Sequence, residues 1–105
     1  MLITLSIVLD FSRYHDMQIE DVQNKILLIK FAPSWCIGCE NFNSLYNNLS
    51  FQNEYKHIIF SQIYCVENQD ICDRYNIVQL PSVIRLYQGI SELCTDLKNF
   101  EECIH

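Results

Sequence analysis

The sequence predicts one α/β domain, a central mixed β-sheet flanked by helices, and three observations lead there. The run Ile26-Leu-Leu-Ile-Lys-Phe31 is almost continuously apolar, the pattern of a strand buried on both faces. Strand-like and helical segments alternate along the chain, as they do in folds that cover a sheet with helices. At 105 residues there is room for a single domain spanning 1–105, and no linker, repeat or low-complexity segment divides it.

The elements follow in order. Met1 to Leu9 is apolar enough to serve as the core of a secretory signal. It lacks a positive start and a small-x-small cleavage site, and it is better read as a first strand ending at Asp10-Phe11-Ser12. Tyr14, Met17, Ile19 and Val22, with Asp16, Glu20 and Asp21 beside them, suit a short amphipathic helix. After the strand Ile26–Phe31, Phe42, Leu45, Tyr46 and Leu49 recur at helical spacing and give a helix one core face. A second central strand is expected at His57–Tyr64, a short helix at Asp70–Tyr75, and a third strand at Pro81–Tyr87. Gln88-Gly89 makes a turn into a fourth strand, Ile90–Cys94. Asn99-Phe-Glu-Glu102 has the pattern of a capping box opening a last helix. Phe42, Tyr46 and Phe60 are expected in the core.

Composition narrows the function. Half the chain is apolar and 19% is charged, which excludes intrinsic disorder. The net charge is -6 with no basic cluster, which argues against a nucleic-acid partner. The longest purely apolar stretch, Ile26–Ile29, is far too short to span a bilayer. Six cysteines in so small a chain point to disulfides, redox chemistry or metal. His15, His57 and His105 are scattered and receive no role, and Asp70, Asp73, Glu101 and Glu102 read as solvated faces and helix-end charges.

The chemistry sits at Ala32-Pro-Ser-Trp-Cys36-Ile-Gly-Cys39, directly after a buried strand and at the start of a helix. A thiol at a helix N-terminus meets unpaired N–H groups and the positive end of the macrodipole, which favours thiolate. Two intervening residues bring the second sulfur within a helical turn of the first, so a disulfide can open and close there. Cys36, nearer the surface, is expected to attack a substrate disulfide, and Cys39, more buried, to resolve the mixed disulfide. A permanent disulfide or half a zinc site would use the same two residues. Zinc wants a second pair at short spacing, and Cys65 and Cys72 are not so spaced. Trp35 is expected beside the site, offering its indole to substrate. Cys94 and Cys103 form either a third disulfide or two buried free thiols.

These residues resemble the thioredoxin superfamily, and most of all the catalytic domains of protein disulfide isomerases. Phe31-Ala-Pro-Ser-Trp-Cys-Ile-Gly-Cys39 is similar to the family's F-A-P-x-W-C-x-x-C, and Asn76-Ile-Val-Gln-Leu-Pro-Ser-Val83 to the segment around its cis-proline. Tyr64-Cys65 to Cys72-Asp-Arg-Tyr75 resembles a stretch of several endoplasmic-reticulum members, and Val8-Leu-Asp-Phe11 lies where the first strand belongs. The resemblance implies a thioredoxin-like fold and a thiol–disulfide oxidoreductase that forms, reduces or isomerises disulfides in protein substrates. It implies no cofactor, no metal and an unidentified redox partner. It puts Leu80–Pro81 in the cis form against the Cys36–Cys39 bond, with the Leu80 backbone free to pair with an extended substrate. It makes Cys65–Cys72 a structural disulfide. The implied compartment is the endoplasmic reticulum lumen or secretory pathway, with the cytoplasm as alternative. A binding or chaperone module with weak redox turnover is the alternative function.

The chain also departs from the family. Lys30 stands where a buried acid usually accepts the resolving thiol's proton, and Gln62 where a lysine usually partners that acid. Ser44 replaces a helix-kinking proline, Glu40 a basic residue, and Ile37-Gly38 carries neither the His nor the Pro of relatives, which leaves the redox direction open. Lys30 shares a strand face with Ile26 and Leu28, so its stem is expected beneath the active-site turn. From there an ammonium would draw out the Cys36 thiolate, whereas a neutral amine would act as base for Cys39, and a snorkelling side chain would do neither.

Overall fold

The computed structural model describes residues 8–13, 25–33, 35–94 and 97–104. Its elements are β1 (Leu9–Asp10), β2 (Ile26–Ala32), α1 (Glu40–Ser50), β3 (Ile58–Tyr64), α2 (Gln69–Arg74), β4 (Ser82–Tyr87), β5 (Ile90–Cys94) and α3 (Phe100–Cys103). The helix expected around Tyr14–Val22 lies outside the described residues, as do the first seven residues of the strand-or-signal segment.

The sheet order is β1-β3-β2-β4-β5. β2 and β3 run parallel, Ile26 facing Ile58 and Ala32 facing Tyr64, and β1 runs parallel to β3 on its other side. A parallel neighbour cannot be reached by a tight turn, and α1 supplies the crossover between β2 and β3. β4 and β5 are antiparallel additions joined at Gln88-Gly89. Both turn residues have positive φ, 51° and 80°, as a two-residue hairpin requires. The result is the mixed sheet that the alternating segments predicted.

Every residue of β2 is buried, and its alternation divides the core between the sheet's two faces. Ile26 and Leu28 join Tyr46, Leu49, Phe60, Val83, Phe100 and Ile104 on the face covered by α1 and α3. Leu27, Ile29 and Phe31 join Phe11, Ile63, Ile71 and Cys72 on the α2 side. Tyr46 is wholly buried, and its hydroxyl donates to the carbonyl of Ser61 at 2.7 Å and to that of Leu28 at 3.3 Å. The Ser61 hydroxyl donates to the same Leu28 carbonyl at 2.7 Å. Tyr46 and Phe60 are core as expected, and Phe42 packs against that core from a partly exposed position.

The first strand ends where expected, and one local expectation, at Asn99, is corrected. Asp10 ends β1 because its Oδ1 accepts from both the amide and the hydroxyl of Ser12, at 3.0 and 2.6 Å, turning the chain into a 3-10 turn at Phe11–Arg13. The capping box at Asn99 does not form: Asn99 makes no side-chain cap hydrogen bond, because it closes a 3-10 turn at Leu97–Asn99 with φ -115° and ψ 44°. Among the described residues no helix is long and apolar enough to cross a membrane.

Candidate active site

β2 delivers the chain to the end of the sheet at Ala32, and α1 leaves from Glu40, so the turn between them carries Trp35 to Cys39. Cys39 is the N-cap of α1, and its carbonyl accepts the first helical hydrogen bond from Asn43 at 2.9 Å. Gly38 enters the helix at φ +92°, a conformation that a residue with a Cβ rarely adopts. Its amide donates to Glu40 Oε2 at 3.0 Å, so the acid found in place of a basic residue holds the start of the helix.

Cys36 and Cys39 are bonded to each other, with Cα atoms 5.6 Å apart. Cys36 is partly exposed and Cys39 is buried at 6% exposure, the asymmetry expected of an attacking and a resolving thiol. The Leu80–Pro81 bond is cis, and Pro81 lines one cavity with both cysteines. Trp35 and Ile37 are 75% and 78% exposed, and Val78 and Leu80 are exposed on the neighbouring loop. Trp35 is therefore solvent-facing surface and no part of the core.

The cavity, about 210 Å³, reaches from the disulfide down to Lys30 and Gln62, which face each other across β2 and β3. Lys30 is only 3% exposed, so it does not snorkel to solvent. Its Nζ donates to Asn43 Oδ1 at 2.8 Å and sits 5.0 Å from the centre of the Tyr46 ring. Burial lowers its pKa from 10.5 to about 8, which leaves an ammonium at neutral pH. Among the described residues no carboxylate lines the cavity. α1 runs through Ser44 from Glu40 to Ser50.

Asn43 was not singled out in the sequence, where helical spacing shows only which face of α1 it shares, not that it meets Lys30. It follows Cys39 by one helical turn and so lies on the same face of α1. The other cysteines stand apart from this site. Cys65 bonds Cys72 where β3 passes into α2, and Cys94 bonds Cys103 between β5 and α3, which resolves the alternative between a third disulfide and two free thiols. Among the described residues no group of three or more His, Cys, Asp or Glu is placed to hold a metal.

The thioredoxin family model matches residues 7–101. Thioredoxin-1 of Caenorhabditis elegans is 31% identical over 65 residues, covering 62% of this chain and 55% of that protein. Protein disulfide-isomerase of Saccharomyces cerevisiae is 36% identical over 58 residues, covering 55% of this chain and 11% of that protein. The chain thus spans about half of the first relative and about a tenth of the second. Among solved structures, a thioredoxin from Nicotiana alata superposes with a TM-score of 0.80 at 23% identity, covering 99% of this chain and 95% of that one, a likeness of fold. With its sheet order, its Cys36–Cys39 turn, its cis Pro81 and a family match over nearly its whole length, the chain belongs to the thioredoxin family.

Proposed function

We propose that the protein is a thiol–disulfide oxidoreductase that exchanges disulfides with protein substrates through Cys36 and Cys39. The observation that carries this reading is the placement of the Cys36–Cys39 bond at the N-terminus of α1, with one sulfur accessible and the other buried. In the reduced protein, the helix terminus favours a Cys36 thiolate, which attacks a substrate disulfide and forms a mixed disulfide. Cys39 attacks the Cys36 sulfur of that intermediate, releases the substrate thiol and reforms the intramolecular bond. In the oxidised protein the same steps run backwards. Trp35, Ile37 and Leu80 give the substrate an apolar landing surface, and the backbone at Leu80 offers main-chain hydrogen bonds to an extended segment.

Isomerisation of wrongly paired substrates and residence in an oxidising compartment such as the endoplasmic reticulum lumen belong to the same proposal. The pairing of Cys65 with Cys72 and of Cys94 with Cys103 supports that compartment. The test is turnover of a dithiol peptide in a glutathione buffer, together with insulin reduction and reactivation of scrambled ribonuclease. Wild type is expected to accelerate exchange in at least one of these assays, and Cys36→Ser to abolish it. Wild type that holds unfolded protein yet accelerates none of the three would overturn the reading in favour of a binding module.

A further inference from the structure

We propose that Lys30 makes the Cys36–Cys39 bond a donor of disulfides, its ammonium standing in the cavity beneath the bond to receive Cys39 as a leaving thiolate. The inference rests on the oxidoreductase reading and adds a direction to it. Three observations converge on it. Lys30 and Cys39 line one cavity, so the charge and the departing sulfur share one space. The side chain is fixed there, held at 2.8 Å by Asn43 Oδ1 and lying over the Tyr46 ring. Among the described residues no carboxylate lines the space to neutralise it, and Gln62 is what faces Lys30 across the sheet.

Among the described residues the titratable groups around Lys30 are few. From α1 come Cys39 and Tyr46, from the active-site turn Cys36, and from the end of β3 Tyr64. Tyr46 spends its hydroxyl on the carbonyls of Leu28 and Ser61, and burial holds its pKa above the ordinary phenol value, so it stays neutral. A lysine pKa lowered to about 8 still leaves the cation at neutral pH, and a thiolate arriving beside it favours the charged form further.

A substrate thiolate attacks Cys36 Sγ; the Cys36–Cys39 bond breaks, and its electron pair leaves on Cys39 beside the ammonium. The second substrate thiolate attacks the substrate sulfur of the mixed disulfide and expels Cys36 as thiolate. The substrate dithiol loses two electrons, the protein gains them, and the two substrate protons end on solvent or on the protein thiols. A low-molecular-weight disulfide such as oxidised glutathione then takes the two electrons and restores the bond. A stabilised leaving thiolate speeds the first step and makes the reduced form more stable, which is a more oxidising site.

The test measures the equilibrium of the full chain with glutathione, the reduced-state thiolate titration at 240 nm, and single-turnover oxidation of a dithiol peptide. Lys30→Met and Lys30→Gln remove the charge with different polarity, so that one failing to fold leaves the other, and Lys30→Arg restores it. The two uncharged variants are expected to raise the apparent thiolate pKa by about one unit. They are also expected to shift the glutathione equilibrium about tenfold towards the protein disulfide. Lys30→Arg is expected to return towards wild type. An unchanged equilibrium in both uncharged variants would overturn the proposal. So would an unchanged equilibrium with slowed release of the mixed disulfide, which would make Lys30 a base for Cys39. Wild type that reduces insulin yet does not oxidise the peptide would also overturn the proposal, whereas wild type inactive in peptide exchange, insulin reduction and ribonuclease reactivation alike would overturn the oxidoreductase reading itself.

Discussion

Replacing Lys30 with Met takes a cation out of the sheet interior, and the consequence is readable in the pH dependence of stability. An unfolded lysine holds its proton up to about pH 10.5, whereas burial lowers the folded value to about 8. Below pH 8 both states carry the charge, and the native state bears the cost of desolvating it. Between pH 8 and 10.5 the native state has released a proton that the unfolded chain keeps, so stability rises with pH. The slope approaches about 1.4 kcal/mol per pH unit, and integrating the two titrations from pH 7 to pH 9 gives a gain of about 1.4 kcal/mol. Tyr46, Tyr55 and Tyr75 are all pushed above the ordinary phenol value by burial and stay protonated in this window. The bonded cysteines do not titrate. Urea unfolding of the oxidised protein at pH 7, 8 and 9, with Lys30→Met in parallel, isolates the effect. The wild type is expected to gain on the variant by about 1.4 kcal/mol across the series. Stability curves that stay parallel would refute a buried ammonium at this position.

Two other perturbations test the packing that holds the site. Tyr46→Phe removes a hydroxyl that donates to two buried carbonyls and is expected to cost about 1–2 kcal/mol in urea unfolding. Replacing Cys65 and Cys72 together by Ala, or Cys94 and Cys103 together, opens loops of 7 and 9 residues' separation. Each double variant is expected to lose about 2–3 kcal/mol by the chain-entropy estimate, and denaturant midpoints under oxidising conditions check it.

How much of this was legible in the sequence depended on the range of the interaction. β2 was readable because a strand covered on both faces must be apolar along its whole length. The turn at Gln88-Gly89 and the strand Ile90–Cys94 appear where turn chemistry placed them. Burial of Lys30 followed from the two-residue period of a strand, which puts it on the face of Ile26 and Leu28. Its acceptor did not, because the Asn43 contact depends on how α1 crosses the end of the sheet, and no local pattern encodes that crossing. The Cys94–Cys103 pairing escaped for the same reason: it joins an edge strand to a four-residue helix whose docking is set by Phe100 and Ile104 in the core. At Asn99 a local motif was present and lost to its context, since the preceding 3-10 turn holds the backbone out of capping geometry. Trp35 was expected beside the site, and its 75% exposure follows from its place on the turn beyond the end of β2.

The central claim is that Cys36 is the sulfur that meets substrate, and trapping the mixed disulfide tests it most directly. A Cys39→Ala variant lacks the resolving thiol, so an adduct formed with a disulfide-bearing peptide cannot be released from within the protein. Non-reducing peptide mapping by mass spectrometry then locates the bond. The account predicts a single stable adduct on Cys36, with Cys65 still joined to Cys72 and Cys94 to Cys103. An adduct on Cys94 or Cys103, or no adduct at all under conditions where free cysteine reacts, would contradict it.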